Sequence, residues 1–131
     1  MGADLVTVST DTQFVHLAWQ QNEGELKDVK YSMGADPSGH ISRLFGVYMK
    51  DAGVALRGTF LINHAGVLLG QEVIFLNYGR NIDELMRRFK ALLYLAKKTN
   101  EACPAKWKDE GDKTLTPGPE MVGKVHEALE G

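Results

Sequence analysis

The 131-residue chain has one cysteine, Cys103, and four prolines. A lone cysteine can neither close a disulfide within the chain nor build a structural zinc site, so any disulfide it forms is intermolecular. Basic residues are in slight deficit, 15 against 17 acidic, for a formal net charge of −2. Nucleic acid is therefore not an expected partner, since phosphate binding draws on a basic surplus. Apolar runs are only a few residues long, so no segment reads as a membrane span. No charged-then-apolar leader is visible, and a single free thiol fits a cytoplasmic location. Phosphate-cradling G-x-G-x-x-G and Walker loops are missing, as is the G-x-S-x-G elbow of serine hydrolases. The four histidines, His16, His40, His64 and His126, lack ligand spacing, and Glu130 stands where His126-Glu127 would need a second histidine to resemble a zincin. What is present is a composition 44% apolar and 24% charged, that of a folded globular protein rather than a disordered one. At most one domain is expected at this length.

Leu5-Val6-Thr7-Val8 is β-branched, bounded by Asp4 and Ser9, and reads as a buried strand. Thr10, three residues before Gln13, offers a capping-box start to a helix carrying Phe14, Leu17 and Ala18, with Trp19 beside them, that fades near Asn22-Glu23-Gly24. Tyr31 to Gly39 reads as a loop holding a brief strand. Ser38 opens a short helix with Ile41, Leu44 and Phe45 on one side, stopped by Gly46. Thr59–Ile62 and Val67–Phe75 form a hairpin about the Asn63-His64-Ala65-Gly66 turn. Ile82, Leu85, Met86, Phe89, Leu92, Leu93 and Ala96 follow i, i+3, i+4, i+7 spacing and predict a long helix capped by Asn81, with Glu84 in its first turn and Lys97 and Lys98 in its last. Beyond Asn100, Pro104, Pro117 and Pro119 and a scarcity of large apolar residues predict a tail, with a short helix around Val122, Val125 and Leu129.

Four stretches carry a resemblance to a known family. Val8-Ser9-Thr10-Asp11 running into His16-Leu17-Ala18-Trp19 resembles the strand-to-helix segment of typical two-cysteine peroxiredoxins. Gly53-Val54-Ala55-Leu56-Arg57-Gly58-Thr59-Phe60-Leu61-Ile62 resembles the family's strand carrying the active-site arginine. Asn77-Tyr78-Gly79-Arg80-Asn81-Ile82-Asp83-Glu84 is similar to the loop and helix start where a second arginine lies. Cys103-Pro104-Ala105-Lys106-Trp107 resembles the resolving-cysteine motif, and Val122-Gly123-Lys124 the tail of bacterial alkyl hydroperoxide reductase peroxidase subunits. The likeness implies reduction of hydrogen peroxide and alkyl hydroperoxides. A peroxidatic cysteine in a P-x-x-x-[ST]-x-x-C segment becomes a sulfenic acid, and a resolving cysteine of the neighbouring subunit condenses with it to a disulfide.

By this resemblance Arg57, otherwise a surface arginine at a strand start, hydrogen-bonds the attacking thiolate and the peroxide oxygens. Arg80, otherwise half of a salt bridge near a helix start, holds the first arginine or a carboxylate in place. Cys103, otherwise a small buried hydrophobe, is the resolving thiol, and Lys97, Lys98 and Lys106 are expected to favour its thiolate. His16 and Trp19 are expected to pack, and His64 needs no role.

The implied fold is α/β, thioredoxin-like and incomplete, without the N-terminal strands and peroxidatic helix. Residues 1–100 would be the C-terminal part of that domain and residues 101–131 the tail with the resolving cysteine. No peroxidatic cysteine lies in the chain, and neither a cofactor nor a metal is expected. Expected partners are a second subunit, or a larger ring, through the Val67–Phe75 edge strand, and thioredoxin or a flavoprotein disulfide reductase. The chain is expected to be a truncated form, inactive and loosely packed alone. In the alternative it is a non-catalytic interaction module that pairs with a full-length subunit and offers it Cys103. The missing Gly-Gly-Leu-Gly loop and Tyr-Phe pair suggest the bacterial type that resists over-oxidation.

Overall fold

A computed structural model describes residues 1–131. In chain order the elements are β1 (Val6–Ser9), α1 (Gln13–Asn22), β2 (Ser32–Ala35), α2 (His40–Leu44), β3 (Tyr48–Met49), β4 (Val54–Ala55), β5 (Arg57–Ile62), β6 (Leu68–Ile74), α3 (Ile82–Lys97) and α4 (Val125–Glu130). Single 3₁₀ turns occupy Gly24–Leu26 and Pro119–Met121. The strands form three two-stranded sheets, β1-β2, β3-β4 and β5-β6. Two compact units result, residues 1–60 with 71–78 and residues 61–70 with 79–131.

In the first unit β1 runs parallel to β2, with Val6 opposite Ser32 and Val8 opposite Gly34. The ladder continues past the strand, as the Asp36 N–H donates to the Ser9 carbonyl at 2.8 Å. β1 is not buried as its composition suggests: Val6 is 60% and Val8 41% exposed. β2 lines only one edge of it, and β-branched composition states which residues gain from cover, not what supplies it. The helix α1 starts one residue after Thr12, whose hydroxyl accepts from the Val15 N–H at 3.4 Å, so the cap is Thr12 rather than Thr10. It turns His16 inward, where the ring hydrogen-bonds the Ser9 hydroxyl, while Phe14, Leu17 and Trp19 stay exposed. His16 thus packs as expected and Trp19 does not.

The turn between β2 and α2 is built on buried Asp36. Its carboxylate accepts from the Ile41 and Ser42 N–H groups at 3.0 and 2.8 Å and from the Ser42 hydroxyl at 2.7 Å. Burial alone would raise the pKa of this carboxyl; the bonds from Ser42 and Ile41 outweigh it and hold the pKa below its ordinary value. The residue before α2 is Gly39, in the left-handed region at φ 71°, and a Cβ there would meet the Tyr48 ring at 2.4 Å. The same ring carries Arg43 above it, the guanidinium carbon 4.1 Å from the ring centroid. Gly46 ends α2 as expected, also at φ 71°. The two-residue strands β3 and β4 are too short to show any periodicity in the sequence.

The β5–β6 hairpin forms as expected, its turn fixed by Asn63, whose side-chain oxygen accepts from the Ala65 and Val67 N–H groups at 3.0 and 2.9 Å. In the second unit α3 is capped by Asn81, which accepts from the Glu84 N–H at 3.0 Å. The tail is not bare of packing. Trp107, 2% exposed, is the most deeply buried large side chain, tilted against the Tyr94 ring at a centroid distance of 5.5 Å. The tail folds back on itself where Ala102 and Leu115 exchange backbone hydrogen bonds at 2.7 and 3.0 Å.

Gly39→Ala and Gly46→Ala separate backbone strain from crowding, since both sites have φ 71° but no atom lies within 4 Å of a Cβ at Gly46. Urea unfolding should show Gly46→Ala losing about 1 kcal/mol and Gly39→Ala about 2–3 kcal/mol. Equal losses would mean that the Tyr48 ring moves aside.

Candidate functional site

Residues 84–115 of the second unit meet around Cys103. From α3, Arg87 spans a bidentate pair with Glu84, Nε to Oε2 at 2.6 Å and a terminal nitrogen to Oε1 at 2.9 Å. Its other terminal nitrogen donates to the Trp107 carbonyl at 2.9 Å, so one guanidinium ties helix to tail. Arg88 adds a third bond to Glu84 at 2.9 Å. The Arg87 hydrogen bonds, with those from Arg88, hold the Glu84 carboxyl at about 2 against an ordinary 4.5. Lys90 pairs with Asp109, and Asp112 accepts the Lys108 and Asp109 N–H groups at 2.7 and 3.1 Å, closing the loop after Trp107.

A second cluster gathers on Glu101. Both the Tyr94 hydroxyl and the Thr114 hydroxyl donate to the Glu101 Oε2 at 2.6 Å. Those bonds, Thr114 first and Tyr94 second, hold the Glu101 carboxyl below its usual value, and Glu101 in turn pushes the Tyr94 phenol up. Cys103 is half-buried. Burial raises its pKa first and the Glu101 charge second, with Arg87 pulling the other way and losing. This corrects the expectation that lysines favour the thiolate. Lys97 and Lys98 sit exposed at the end of α3, and Lys106 faces Glu130 at 3.6 Å.

Arg57 begins β5 in the first unit, is exposed, and donates from Nε to the Leu76 carbonyl at 2.8 Å, which leans the guanidinium onto the turn that follows β6. Arg80, also exposed, lies in the second unit two positions ahead of α3. The cation whose charge acts on the Cys103 thiol is Arg87, which the motifs did not single out. Its signal was the i, i+3 and i, i+4 spacing of Glu84 with Arg87 and Arg88, a pattern shared by many purely structural helix pairs.

Residues 1–70 match the model of the AhpC/TSA family, and residues 93–131 match that of the C-terminal domain of 1-Cys peroxiredoxin. The chain belongs to the AhpC/TSA family of peroxiredoxins. It is 41% identical over 125 residues to alkyl hydroperoxide reductase C of Salmonella typhimurium and 42% identical over 125 residues to that of Staphylococcus aureus. Each alignment takes in 95% of this chain and 66% of the relative, so the chain spans just under two thirds of the length of these peroxiredoxins. Among solved structures, the reduced 2-Cys peroxiredoxin of Plasmodium vivax superposes with a TM-score of 0.81 at 29% identity, over 89% of this chain and 61% of that one. Enterococcus faecalis AhpC gives 0.72 at 34% identity, over 77% and 60%. The fold is accordingly a part of the thioredoxin-like α/β fold of 2-Cys peroxiredoxins, as the motifs implied. No helix is long and apolar enough to cross a membrane.

Because the folded pKa of Glu84 is depressed, the stability it contributes is complete above its ordinary pKa of 4.5 and drains away as pH falls toward about 2. In a Trp19→Phe background, Trp107 emission should shift to the red across that window. Glu84→Gln should remove this transition and leave the emission red-shifted at neutral pH. A Trp107 signal equally acid-sensitive with and without Glu84 would assign the transition to another carboxylate.

Proposed function

We propose that this chain serves peroxide reduction as the resolving part of a 2-Cys peroxiredoxin, with Cys103 as the thiol that condenses with a sulfenic acid. The observation that carries the reading is Cys103 itself, the chain's one sulfhydryl, held half-buried on a tail segment that Arg87 ties to α3. The attacking sulfur comes from outside these 131 residues. In the condensation the Cys103 sulfur bonds the sulfenic sulfur, the S–O bond breaks, and the departing hydroxide takes the thiol proton to leave as water. A dithiol reductant, thioredoxin or a flavoprotein disulfide reductase, returns both sulfurs to thiols. Arg57, at the head of β5, has the planar fork of donors that stabilises charge on a thiolate and on peroxide oxygen. Its Nε bond to the Leu76 carbonyl fixes the plane of that fork. By the same likeness Arg80, two positions ahead of α3, has a supporting role. Oligomers form through β6, the strand that follows the Asn63–Gly66 turn, and the working location is the cytoplasm.

The test pairs this chain with a full-length bacterial alkyl hydroperoxide reductase C whose own resolving cysteine is replaced by serine. After one equivalent of hydrogen peroxide, mass spectrometry should find a mixed disulfide to Cys103, absent with Cys103→Ser. The chain alone should consume peroxide no faster than buffer. Failure of Cys103 to capture the sulfenic acid would reject the resolving role.

A further inference from the structure

We infer that the open edge of β1 is a pairing surface for a second copy of this chain, the two β1 strands running antiparallel about a two-fold axis at Thr7. The interface uses neither β6 nor Cys103, and it stands whether or not Cys103 resolves a sulfenic acid.

β1 has one strand neighbour, β2, and its other edge meets no strand. The parallel ladder fixes which backbone groups face that edge. The Ser9 carbonyl accepts from the Asp36 N–H, so Ser9 turns its backbone groups toward β2. Alternate residues of a strand face the same neighbour, so Thr7 does likewise, and a Cβ at Gly34 of β2 would lie 3.4 Å from the Thr7 oxygen. Val6 and Val8 therefore turn their N–H and C=O groups to the open edge. Their side chains are exposed as well. Edges of this kind are commonly guarded by charge or proline, and Val6-Thr7-Val8-Ser9 has neither.

The edge is complementary to itself in one register. Antiparallel strands bond through facing residues that both turn their backbone groups across the gap, so even-numbered positions must face even-numbered ones. A two-fold axis at Thr7 sets Val6 opposite Val8 of the second copy and Val8 opposite its Val6, and each of these pairs exchanges both N–H···O bonds. Thr7 then faces Thr7 as the non-bonded pair, where side chains come closest and threonines attract one another. Asp4 falls opposite Thr10 and Asp11 opposite Ala3, so no two acids meet. An axis at Val6 joins one valine pair and sets Asp4 against Val8. An axis at Val8 joins one pair and sets Asp11 against Leu5. Charge and bonding thus select the Thr7 axis, and the resulting interface is isologous. A two-stranded sheet is marginal alone, and pairing extends it to four strands, β2-β1-β1-β2.

The experiment is sedimentation velocity of the full chain over a range of concentrations, with amide hydrogen exchange as the second readout. The wild-type chain should pass from monomer to dimer as concentration rises. Thr7 is exposed, and Thr7→Asp and Thr7→Lys each set like charges face to face on the axis. Each variant alone should dimerise about tenfold more weakly, and an equimolar mixture of the two should recover the association as a one-to-one heterodimer. In the wild-type chain the Val6 and Val8 amides should gain protection with concentration, while the Thr7 and Ser9 amides, bonded to β2, should not change. The exchange readout needs no variant and decides the matter if a Thr7 variant does not fold. A chain that stays monomeric, a dimer insensitive to charge at Thr7, as one formed through β6 would be, or a mixture that stays dissociated would overturn the inference. Protection of Val6 and Val8 that appears only when a full-length alkyl hydroperoxide reductase C is added would give the edge to another occupant and overturn it equally.

Discussion

One arginine fixes the geometry on which the proposed chemistry depends. Arg87 uses three of its donors at once, two on Glu84 within its own helix and one on the carbonyl of Trp107 in the tail. The bidentate pair aims the guanidinium, and the third bond then dictates where the tail backbone runs. Trp107 follows its carbonyl into the interior and packs on Tyr94. Tyr94, so placed, presents its hydroxyl to Glu101. Each step supplies the position that the next requires, and Cys103 lies inside the chain of contacts rather than at its end. Isolated ion pairs on a helix surface contribute little, about 0.3–0.5 kcal/mol each. The consequence of this one is larger because, with the Lys90–Asp109 pair, the Tyr94–Glu101 bond, the buried indole and the Ala102–Leu115 bridge, it orders the tail segment.

The first unit is organised around a different buried carboxylate. Asp36 gathers the start of α2 much as Glu101 gathers the tail, by accepting several donors on one side chain. Both are acids with lowered pKa values whose role is to fix backbone direction. The exposed Val6, Val8, Phe14, Leu17 and Trp19 show that β1 and α1 present apolar surface that this chain does not itself cover. That surface belongs to a chain that spans just under two thirds of the length of its peroxiredoxin relatives.

Some of this was legible in the sequence for definite reasons. The helix α3 was, because an apolar residue returns at helical spacing through more than four turns and Asn81 marks its start. The hairpin was, because Asn63 and Gly66 separate two apolar runs. The family motifs single out Cys103, Arg57 and Arg80 as candidates. The contacts that set their behaviour were not legible. Whether Thr10 or Thr12 caps α1 depends on backbone angles that two threonines two positions apart cannot announce. The tail reads as sparse because it has few apolar side chains, yet a single buried tryptophan with a tyrosine to lean on anchors it. Nearby lysines suggested a low thiol pKa, since counting charges along the chain ignores that burial disfavours the thiolate, that Glu101 adds a negative charge and that Lys106 faces Glu130.

The most direct test of this account is amide hydrogen exchange at the tail with and without the Arg87 link. In the wild-type chain the Ala102 and Leu115 amides, which exchange bonds across the bridge, and the Trp107 amide should open together with one common protection factor. Arg87→Met should release all three by a similar factor while the central amides of α3 keep their protection. Bridge amides that stay protected after Arg87 is replaced would contradict the claim that this guanidinium positions the segment carrying Cys103.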